Sequence, residues 1–537
     1  MRTRIRAVWA AITLLFLFAA VSAFGTWHVS AAGIQPPGPD RFIVVTQNYT
    51  AYEWWLTSWV DNKIACTIKV DHEGLPTSSE IYASCGATLT QKWSATRPCD
   101  TSDDNPSACL GYYLLFNKSE SAQRQVSAVQ PPPVVWVTLD GCVPFNSTFR
   151  CDTLPTLVLT GEEPLAGETI TGLAGRLDGE AFTCDPVCQV DLAPTDEEGI
   201  LIEFWANSSY GDSSVLFDAR VRVTSSADPT DQSWYVDVLS TQWRGTPLAS
   251  CSQTWKTFPP VGGVPAWLSN PPDVETLATS ISYDYLAAKL ITHGLADVSS
   301  CTDGGLLADG VASPCGLEAS RSAVGDWQNR FDSLIFSEAQ KTGIPARVLK
   351  SIFSRESQFW PGVTIGHPEA GLGQMTMGGA DVTLLWNPPF YEQFCSSTLD
   401  AGTCRQGYAH LTSAQQETLR DALVVSVDGA CPDCALGIDL DHAEKSVGTF
   451  AETLLANCAQ AGMVVELNNI SNAPVGYVDL WQFTLVNYNA GPGCLGLAVN
   501  KTSRSGEPLD WEHVSSHLTP VCQGAKDYVI AISSNSP

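Results

Sequence analysis

A helix that ends on an acidic side chain is predicted by the segment Ile344-Pro345-Ala346-Arg347-Val348-Leu349-Lys350-Ser351-Ile352-Phe353-Ser354-Arg355-Glu356. Pro345 suits the first helical position, because the N–H that it lacks would have no partner there. At the spacing i, i+3, i+4 and i+7, one face of this helix carries Leu349, Ile352, Phe353 and Glu356. The carboxyl group of Glu356 therefore continues an apolar stripe.

This position gives Glu356 the chemistry of a general acid. A carboxyl group that is removed from water is harder to ionise, so its pKa rises and its protonated form persists near neutral pH. In that state it protonates the oxygen of a leaving group. The helical spacing alone also fits a Glu that ends the stripe at the solvent boundary. The motifs that follow favour the general acid.

Three short motifs follow one another along the chain. The first is Glu356-Ser357, with Pro361 five residues after the Glu. The second, Gly371-Leu372-Gly373-Gln374, starts fifteen residues after Glu356, and the third is Tyr488-Asn489-Ala490-Gly491. This ordered set resembles the lytic transglycosylases of bacterial cell walls, a branch of the lysozyme-like superfamily that includes goose-type lysozymes. The resemblance covers about residues 318–535.

The resemblance implies cleavage of the bond between MurNAc and GlcNAc, with no metal and no cofactor. One carboxyl group, here Glu356, acts first as acid and then as base. The 6-hydroxyl of the muramic sugar attacks, which gives a 1,6-anhydro product instead of hydrolysis. The residues that the resemblance assigns to binding peptidoglycan glycan strands are Ser357, which also holds the helix end, Gln374, Tyr488 and Asn489.

Two other functions fit the same sequence. A hydrolase of the goose-lysozyme type needs a second acid to position water, and the sequence leaves open which Asp or Glu lies close enough. A non-catalytic wall-binding surface protein would keep the fold without using the carboxyl group. The presence of Glu356 on an apolar stripe favours an enzyme, because a protein without activity has no use for a carboxyl group there.

The composition restricts the partners of the chain. Its 537 residues suffice for several domains with large cores. The formal net charge of −28 argues against a nucleic-acid partner, which requires basic patches, and against electrostatic capture of the anionic cell wall. Glycan binding is therefore expected to rest on direct sugar contacts, for which 17 tryptophans are available.

The N-terminus indicates a protein exported to the extracellular space or the cell-envelope surface. Basic residues precede an apolar stretch at residues 7–24, and Ser30-Ala31-Ala32 has the small side chains of a cleavage site. Residues 1–32 are therefore predicted to be a signal peptide. The alternative is an uncleaved anchor that tethers the protein to a membrane through residues 7–24.

The 18 cysteines agree with export, because disulfides persist in oxidising compartments. Their even number allows every cysteine to be paired. Cys431 and Cys434 are predicted to form a structural disulfide, since no second cysteine pair completes a zinc site. The local pairs that we expect are Cys99/Cys109, Cys142/Cys151, Cys301/Cys315 and Cys395/Cys404.

The chain is predicted to be multidomain, with all-β regions followed by a mainly α, lysozyme-like catalytic domain. We assign residues 33–155 to a Cys-containing mixed β region and residues 156–226 to an immunoglobulin-like β-sandwich. Residues 227–317 form a helical lead-in, and residues 318–537 form the catalytic domain.

Local patterns within these regions predict individual elements. Residues 200–206 and 217–223 are strand-like runs separated by turn residues, as in a β-sandwich. The lead-in is expected to contain a helix from Val274 to His293. Five cysteines between Gln374 and Tyr488 predict a disulfide-stapled helical insertion.

Overall fold

The computed structural model describes residues 36–96, 110–226, 230–247, 249–362 and 369–534. Antiparallel sheets occupy the first part of the chain and helices occupy the second. The predicted order, a β-rich region followed by a mainly helical one, is therefore confirmed. Residues 1–32 and the pair Cys99/Cys109 lie outside the described residues.

The strands form two antiparallel sheets. Their bounds are β1 Phe42–Ser58, β2 Ile64–Val70, β3 Tyr112–Val129, β4 Val134–Phe145, β5 Thr148–Glu162, β6 Ile170–Leu177, β7 Glu180–Cys184, β8 Val187–Asp191, β9 Ile200–Ser208, β10 Phe217–Ser225 and β11 Trp234–Leu239. The smaller sheet has the order β2-β1-β3, and the larger has the order β4-β5-β11-β10-β9-β6-β7, with β8 paired to β5. The predicted strand-like runs at residues 200–206 and 217–223 lie in β9 and β10.

The far end of the smaller sheet packs against helix α1 (Ser78–Ser94). A disulfide between Cys66 and Cys85 ties β2 to this helix. Leu56, Ile68 and Ile81 are fully buried between the sheet and the helix. Residues 52–96 and 110–119 therefore form a small unit with its own core, which we call the head.

A two-stranded ribbon, which we call the stalk, joins the head to the larger sheet. Residues 42–51 of β1 pair in register with residues 120–129 of β3. At the base, Arg41 is 1 % exposed and forms ion pairs with Glu163 at 2.6 Å and Asp212 at 2.7 Å. Strand geometry gives the stalk a length of about 33 Å. A ribbon of this kind is marginal on its own, so both ends need such anchors.

The larger sheet crosses two of the predicted domain boundaries. Strand β5 runs through the boundary at residues 155/156, and β11 pairs with β5 and β10 although it follows the boundary at 226/227. Val135 of β4 and Val236 of β11 are fully buried in the same core. The structure therefore places residues 134–239 in one unit, which corrects both boundaries.

The second part of the chain is helical. The helix bounds are α2 Ser250–Trp255, α3 Asp284–Thr292, α4 Pro314–Ala319, α5 Arg321–Asn329, α6 Asp332–Thr342, α7 Ala346–Glu356, α8 Met377–Trp386, α9 Pro388–Cys395, α10 Ala401–Cys404, α11 Ser413–Val427, α12 Leu440–Asn468, α13 Tyr477–Ser505, α14 Trp511–Ser516 and α15 Gln523–Ser534. Short 3₁₀ turns lie at Ala266–Leu268, Glu275–Leu277, Tyr408–His410 and Pro520–Cys522.

The helix predicted from Val274 to His293 is shorter in the structure. It forms only as α3, from Asp284 to Thr292. The backbone N–H groups of Thr279 and Ile281 donate to the side chains of Asn329 and Gln328. Those donors are thus unavailable to an earlier helical turn.

The predicted lead-in belongs to the same core as the helices that follow it. A single cluster of buried residues runs from Cys251 to Ile532. Cys251 of α2 is bonded to Cys458 of α12, and the indole N–H of Trp255 donates to the Cys458 carbonyl at 2.9 Å. The boundary predicted at residues 317/318 therefore falls inside a unit that begins near residue 249.

A buried cation fixes the larger sheet to this helical unit. Arg222 of β10 pairs with Asp237 of β11 at 2.7 Å and also donates to the carbonyl of Pro259. The Arg222 guanidinium lies 4.7 Å from the centre of the Phe258 ring. Since Phe258 and Pro259 precede the first 3₁₀ turn of the helical unit, this contact holds the two units together.

Disulfides staple both parts of the chain. The predicted pairs Cys142–Cys151, Cys301–Cys315, Cys395–Cys404 and Cys431–Cys434 are confirmed. The described residues also contain four pairs that join Cys66–Cys85, Cys184–Cys188, Cys251–Cys458 and Cys494–Cys522. Among the described helices, none combines the length and the apolar character that crossing a membrane requires.

A fragment of residues 249–537 is expected to fold alone, because it keeps the whole buried cluster from Cys251 to Ile532. A fragment of residues 228–537 is expected to aggregate, because it carries β11 without the strands that bury Val236. Size-exclusion chromatography and thermal unfolding of the two fragments test this difference. A soluble, monomeric 228–537 fragment would contradict the assignment of β11 to the larger sheet.

Candidate active site

Helix α7 carries the predicted general acid. It runs from Ala346 to Glu356 with Pro345 directly before its first residue, so the predicted helix is confirmed with a start one residue later. The rest of the stripe, Leu349, Ile352 and Phe353, is at most 1 % exposed. Packing of these residues into the core therefore carries the last residue of the helix, Glu356, to a partly buried position.

The backbone reverses sharply after Glu356. Gln358 and Phe359 have φ values of 48° and 64°, a left-handed conformation that L-residues adopt at a cost in energy. The turn lets the Gln358 side-chain oxygen accept hydrogen bonds from the backbone N–H groups of Tyr285 and Leu286, at 3.0 and 3.2 Å. These donors lie in the first turn of α3. Gln358 thus caps a helix far away in sequence and holds the end of α7.

Ser357 joins the end of α7 to the glycine turn. Its hydroxyl donates to the carbonyl of Leu372 at 2.7 Å, and the side chain is buried. A Cβ atom at Gly371 would lie 2.3 Å from the Val427 carbonyl oxygen, and one at Gly373 would lie 2.5 Å from the Phe450 ring. The turn therefore requires glycine at both positions in order to approach α7 so closely.

Tyr488 of α13 closes the site from the other side. Its hydroxyl donates to the carbonyl of Gly373 at 2.7 Å. Burial raises the pKa of Tyr488 well above its usual value, and the charges of Glu356 and Glu369 raise it further. Tyr488 therefore remains a neutral hydrogen-bond donor, as its contact with Gly373 requires.

These elements enclose a cavity of about 350 Å³. Four of the five predicted site residues line it, namely Glu356, Gln374, Tyr488 and Asn489. The fifth, Ser357, is not among the lining residues and acts on the helix end instead. Other lining residues are Glu369, Met375, Thr376, Gly378, Gly379, Val382, Phe450, Thr453, Asn457, Asn487, Ala490, Gly491 and Pro492.

The cavity keeps the Glu356 carboxyl protonated near neutral pH. Burial raises its pKa to about 7, and the charge of Glu369 acts in the same direction. The Tyr528 hydroxyl lies close enough to lower the pKa in part, although it forms no hydrogen bond of normal geometry with described residues. The expectation of a raised pKa, drawn from the apolar stripe, agrees with this environment.

The cavity also contains groups that the sequence patterns did not indicate. Glu369 brings a second carboxyl group to the cavity wall. Asn487 donates its amide to the side-chain oxygens of Asn457 and Gln460, both at 2.8 Å, while its own buried oxygen has no partner among the described residues. Asn487 lines the cavity, whereas this oxygen is itself buried. Asn487 adjoins the Tyr488 motif, whereas no local pattern marked Glu369 or Asn457.

No family model, no curated protein and no solved structure matches this chain. A protonated carboxyl group faces a cavity whose polar lining consists of amide, hydroxyl and carboxyl groups, which is suited to a neutral, hydroxyl-rich ligand.

The described residues contain one cluster with the spacing of metal ligands, Cys301, Asp303 and Cys315. Its two sulfur atoms are bonded to each other, so neither is a thiolate. The cluster is also separate from the lining of the cavity that contains Glu356. We therefore assign it no metal.

The raised pKa of Glu356 predicts a pH-dependent stability difference for Glu356→Gln. The folded state holds the proton of Glu356 up to about pH 7, whereas the unfolded chain releases it near the usual glutamate pKa of 4.5. Between these values the wild type therefore loses stability as pH rises, and the Gln variant does not. At pH 8 the variant is expected to be more stable by about 3 kcal/mol, with no difference near pH 4.

Denaturant unfolding at pH 4 and pH 8 measures this difference. Glu417→Gln, which removes an exposed carboxyl group from α11, is the matched control and should behave as wild type at both values. If the difference in unfolding free energy between Glu356→Gln and the wild type is the same at pH 4 and pH 8, the Glu356 carboxylate is well solvated.

Proposed function

We propose that this chain is an exported peptidoglycan lytic transglycosylase, with an immunoglobulin-like β unit ahead of a lysozyme-like catalytic domain. Its main support is the state of Glu356, a carboxyl group with a pKa of about 7 on the wall of a 350 Å³ cavity. The disulfides on both parts of the chain fit an extracellular protein. A non-catalytic wall-binding protein would not need a carboxyl group in this state.

In the proposed first step, Glu356 protonates the oxygen of the glycosidic bond. The bond between that oxygen and the anomeric carbon of MurNAc breaks, and the GlcNAc-terminated fragment leaves with the proton. Gln374 and Asn489 line the cavity, and in this proposal their amide groups bind the sugar or its N-acetyl group. The side-chain N–H of Gln374 donates a hydrogen bond to the Gly371 carbonyl at 2.7 Å, which fixes the side chain at the cavity wall.

In the proposed second step, the ionised Glu356 acts as the base. It takes the proton from the 6-hydroxyl of the same MurNAc, whose oxygen forms a bond to the anomeric carbon. The product is a 1,6-anhydro sugar, and Glu356 returns to its protonated state. A pKa near 7 suits a group that both donates and accepts a proton at neutral pH.

A hydrolase of the goose-lysozyme type is the second candidate, and Glu369 is the observation that favours it. A second carboxylate in the cavity can take a proton from a water molecule that attacks the anomeric carbon. The product would then have a reducing end instead of an anhydro ring. The two reactions share Glu356 as acid and differ in the role of Glu369.

Product analysis with purified sacculi separates the two candidates. We expect muropeptides with 1,6-anhydro ends, each one water lighter than the hydrolysis product, as measured by mass spectrometry. Glu356→Gln should lower turnover by at least about a hundredfold, because no other group replaces the acid. Glu369→Gln should leave the product unchanged. Reducing ends that disappear in Glu369→Gln would instead assign the chain to the hydrolases.

The pH profile gives a further test of Glu356. As the acid, it must be protonated in the free enzyme, so kcat/KM is expected to fall about tenfold per pH unit above its pKa of about 7. Tyr528→Phe removes the hydroxyl that lowers this pKa, so the fall should move to higher pH. An unchanged pH profile in Tyr528→Phe would show that Tyr528 does not affect the pKa of Glu356. A flat profile in the wild type would show that the protonation of Glu356 does not control kcat/KM.

A further inference from the structure

The head presents a sheet face that no described helix or strand covers. Residues alternate between the two faces of a strand. On β1, Trp54 and Leu56 face the core under α1, whereas Glu53, Trp55 and Thr57 point to the opposite face. The residues paired beside them on that face include Thr67 and Lys69 of β2 and Tyr113, Leu115 and Lys118 of β3. We call this surface the outer face of the head.

Aromatic rings lie on the outer face in fixed orientations. The indole N–H of Trp55 donates to Glu53, two residues back on the same strand, at 3.2 Å, which aligns the ring along the strand. The rings of Trp59 and Tyr113 pack together with their centres 4.1 Å apart. The Tyr113 hydroxyl donates to the Asn62 side chain at 3.2 Å. Three aromatic residues are thus immobilised, although all three remain partly exposed.

Hydrogen-bonding groups surround these rings. The Glu53 carboxylate accepts from Asn117 at 2.7 Å and lies 3.7 Å from the Lys69 ammonium. Lys69 and Lys118 both pair with Glu120. The group of two lysines and two glutamates is neutral in total.

We propose that the outer face of the head is a second glycan-binding site, which takes a carbohydrate chain across Trp55 and the Trp59–Tyr113 pair. Sugar rings carry apolar C–H faces and hydroxyl edges, which match rigid aromatic rings bordered by donors and acceptors. The neutral charge balance of this surface fits a chain that is bound through its ring faces and hydroxyl groups and not through net charge. It offers no net positive charge to a nucleic acid.

The stalk separates this site from the cavity that contains Glu356. It holds the head about 33 Å from the larger sheet, and no residue of the head lines that cavity. A site there binds polymer without taking part in the reaction, and it raises the local concentration of substrate by tethering. The inference rests on the proposed function for the choice of polymer, but it concerns binding alone and does not depend on which bond the helical unit cleaves.

Sedimentation of the full chain with purified sacculi tests the proposal. Every protein carries Glu356→Gln, so that the polymer is not consumed. Trp55→Ala is expected to weaken binding by about tenfold or more, since aromatic anchors dominate such contacts. Leu115→Arg is the second variant, because Leu115 is 42 % exposed on the outer face and its replacement leaves the core untouched. Tyr82→Ala, which removes a 58 % exposed aromatic ring from α1, is the matched control.

The second probe consists of glycan strands freed of their stem peptides. Their binding to the same proteins is measured by the change in tryptophan fluorescence. Loss of binding to both probes in Trp55→Ala and Leu115→Arg, with Tyr82→Ala unchanged, supports the proposal. Wild-type binding in both outer-face variants overturns it. Loss on sacculi with no binding of free strands by any variant also overturns it, because the ligand is then a peptide or protein of the wall. Activity of the Glu356 form on soluble glycan reports separately on the proposed function.

Discussion

The hydrogen bond from Ser357 to the Leu372 carbonyl is the contact on which the candidate site depends. It joins the end of α7 to the glycine turn, and the turn is held in place by Tyr488 through the neighbouring carbonyl of Gly373. Gly371 and Gly373 allow the approach, because any side chain there would collide with Val427 or Phe450. The burial that raises the pKa of Glu356 follows from this closure, so the chemistry of the acid is a property of the packing around it.

Local spacing was sufficient to predict the parts of the site that lie within one element. The apolar stripe of α7 and the Gly-flanked turn are short-range patterns, and Gln374, Tyr488 and Asn489 follow from motifs next to them. Asn457 could not be found in this way, because α12 reaches the cavity only through long-range packing. The motif located Ser357 at the site, but its hydroxyl donates to the Leu372 carbonyl and the residue does not line the cavity.

The difference between local patterns and long-range contacts also explains why the predicted domain boundaries fall inside structural units. The strand pattern located β9 and β10, but the partners of β11 lie far away in sequence, so its place in the larger sheet is invisible to composition. The lead-in looked separate because its short helices lack a strong periodic pattern. Its attachment depends on Cys251, Trp255 and the capping of α3 by Gln358, which are contacts between distant segments. Local sequence patterns predict individual strands and helices. Contacts between distant segments determine how these strands and helices are grouped into structural units.

The bond between Cys251 and Cys458 has a consequence for how the chain is made. Its partners are 207 residues apart, whereas Cys301 and Cys315 are only 14 apart. Synthesis proceeds from the N-terminus, so Cys251 is exposed to oxidation long before its partner exists. During that interval the nearest available thiols are those of Cys301 and Cys315, and pairing with either one leaves a wrong bond that must be exchanged later. The native bond between Cys251 and Cys458 therefore forms only after any such wrong bond has been opened again by thiol–disulfide exchange.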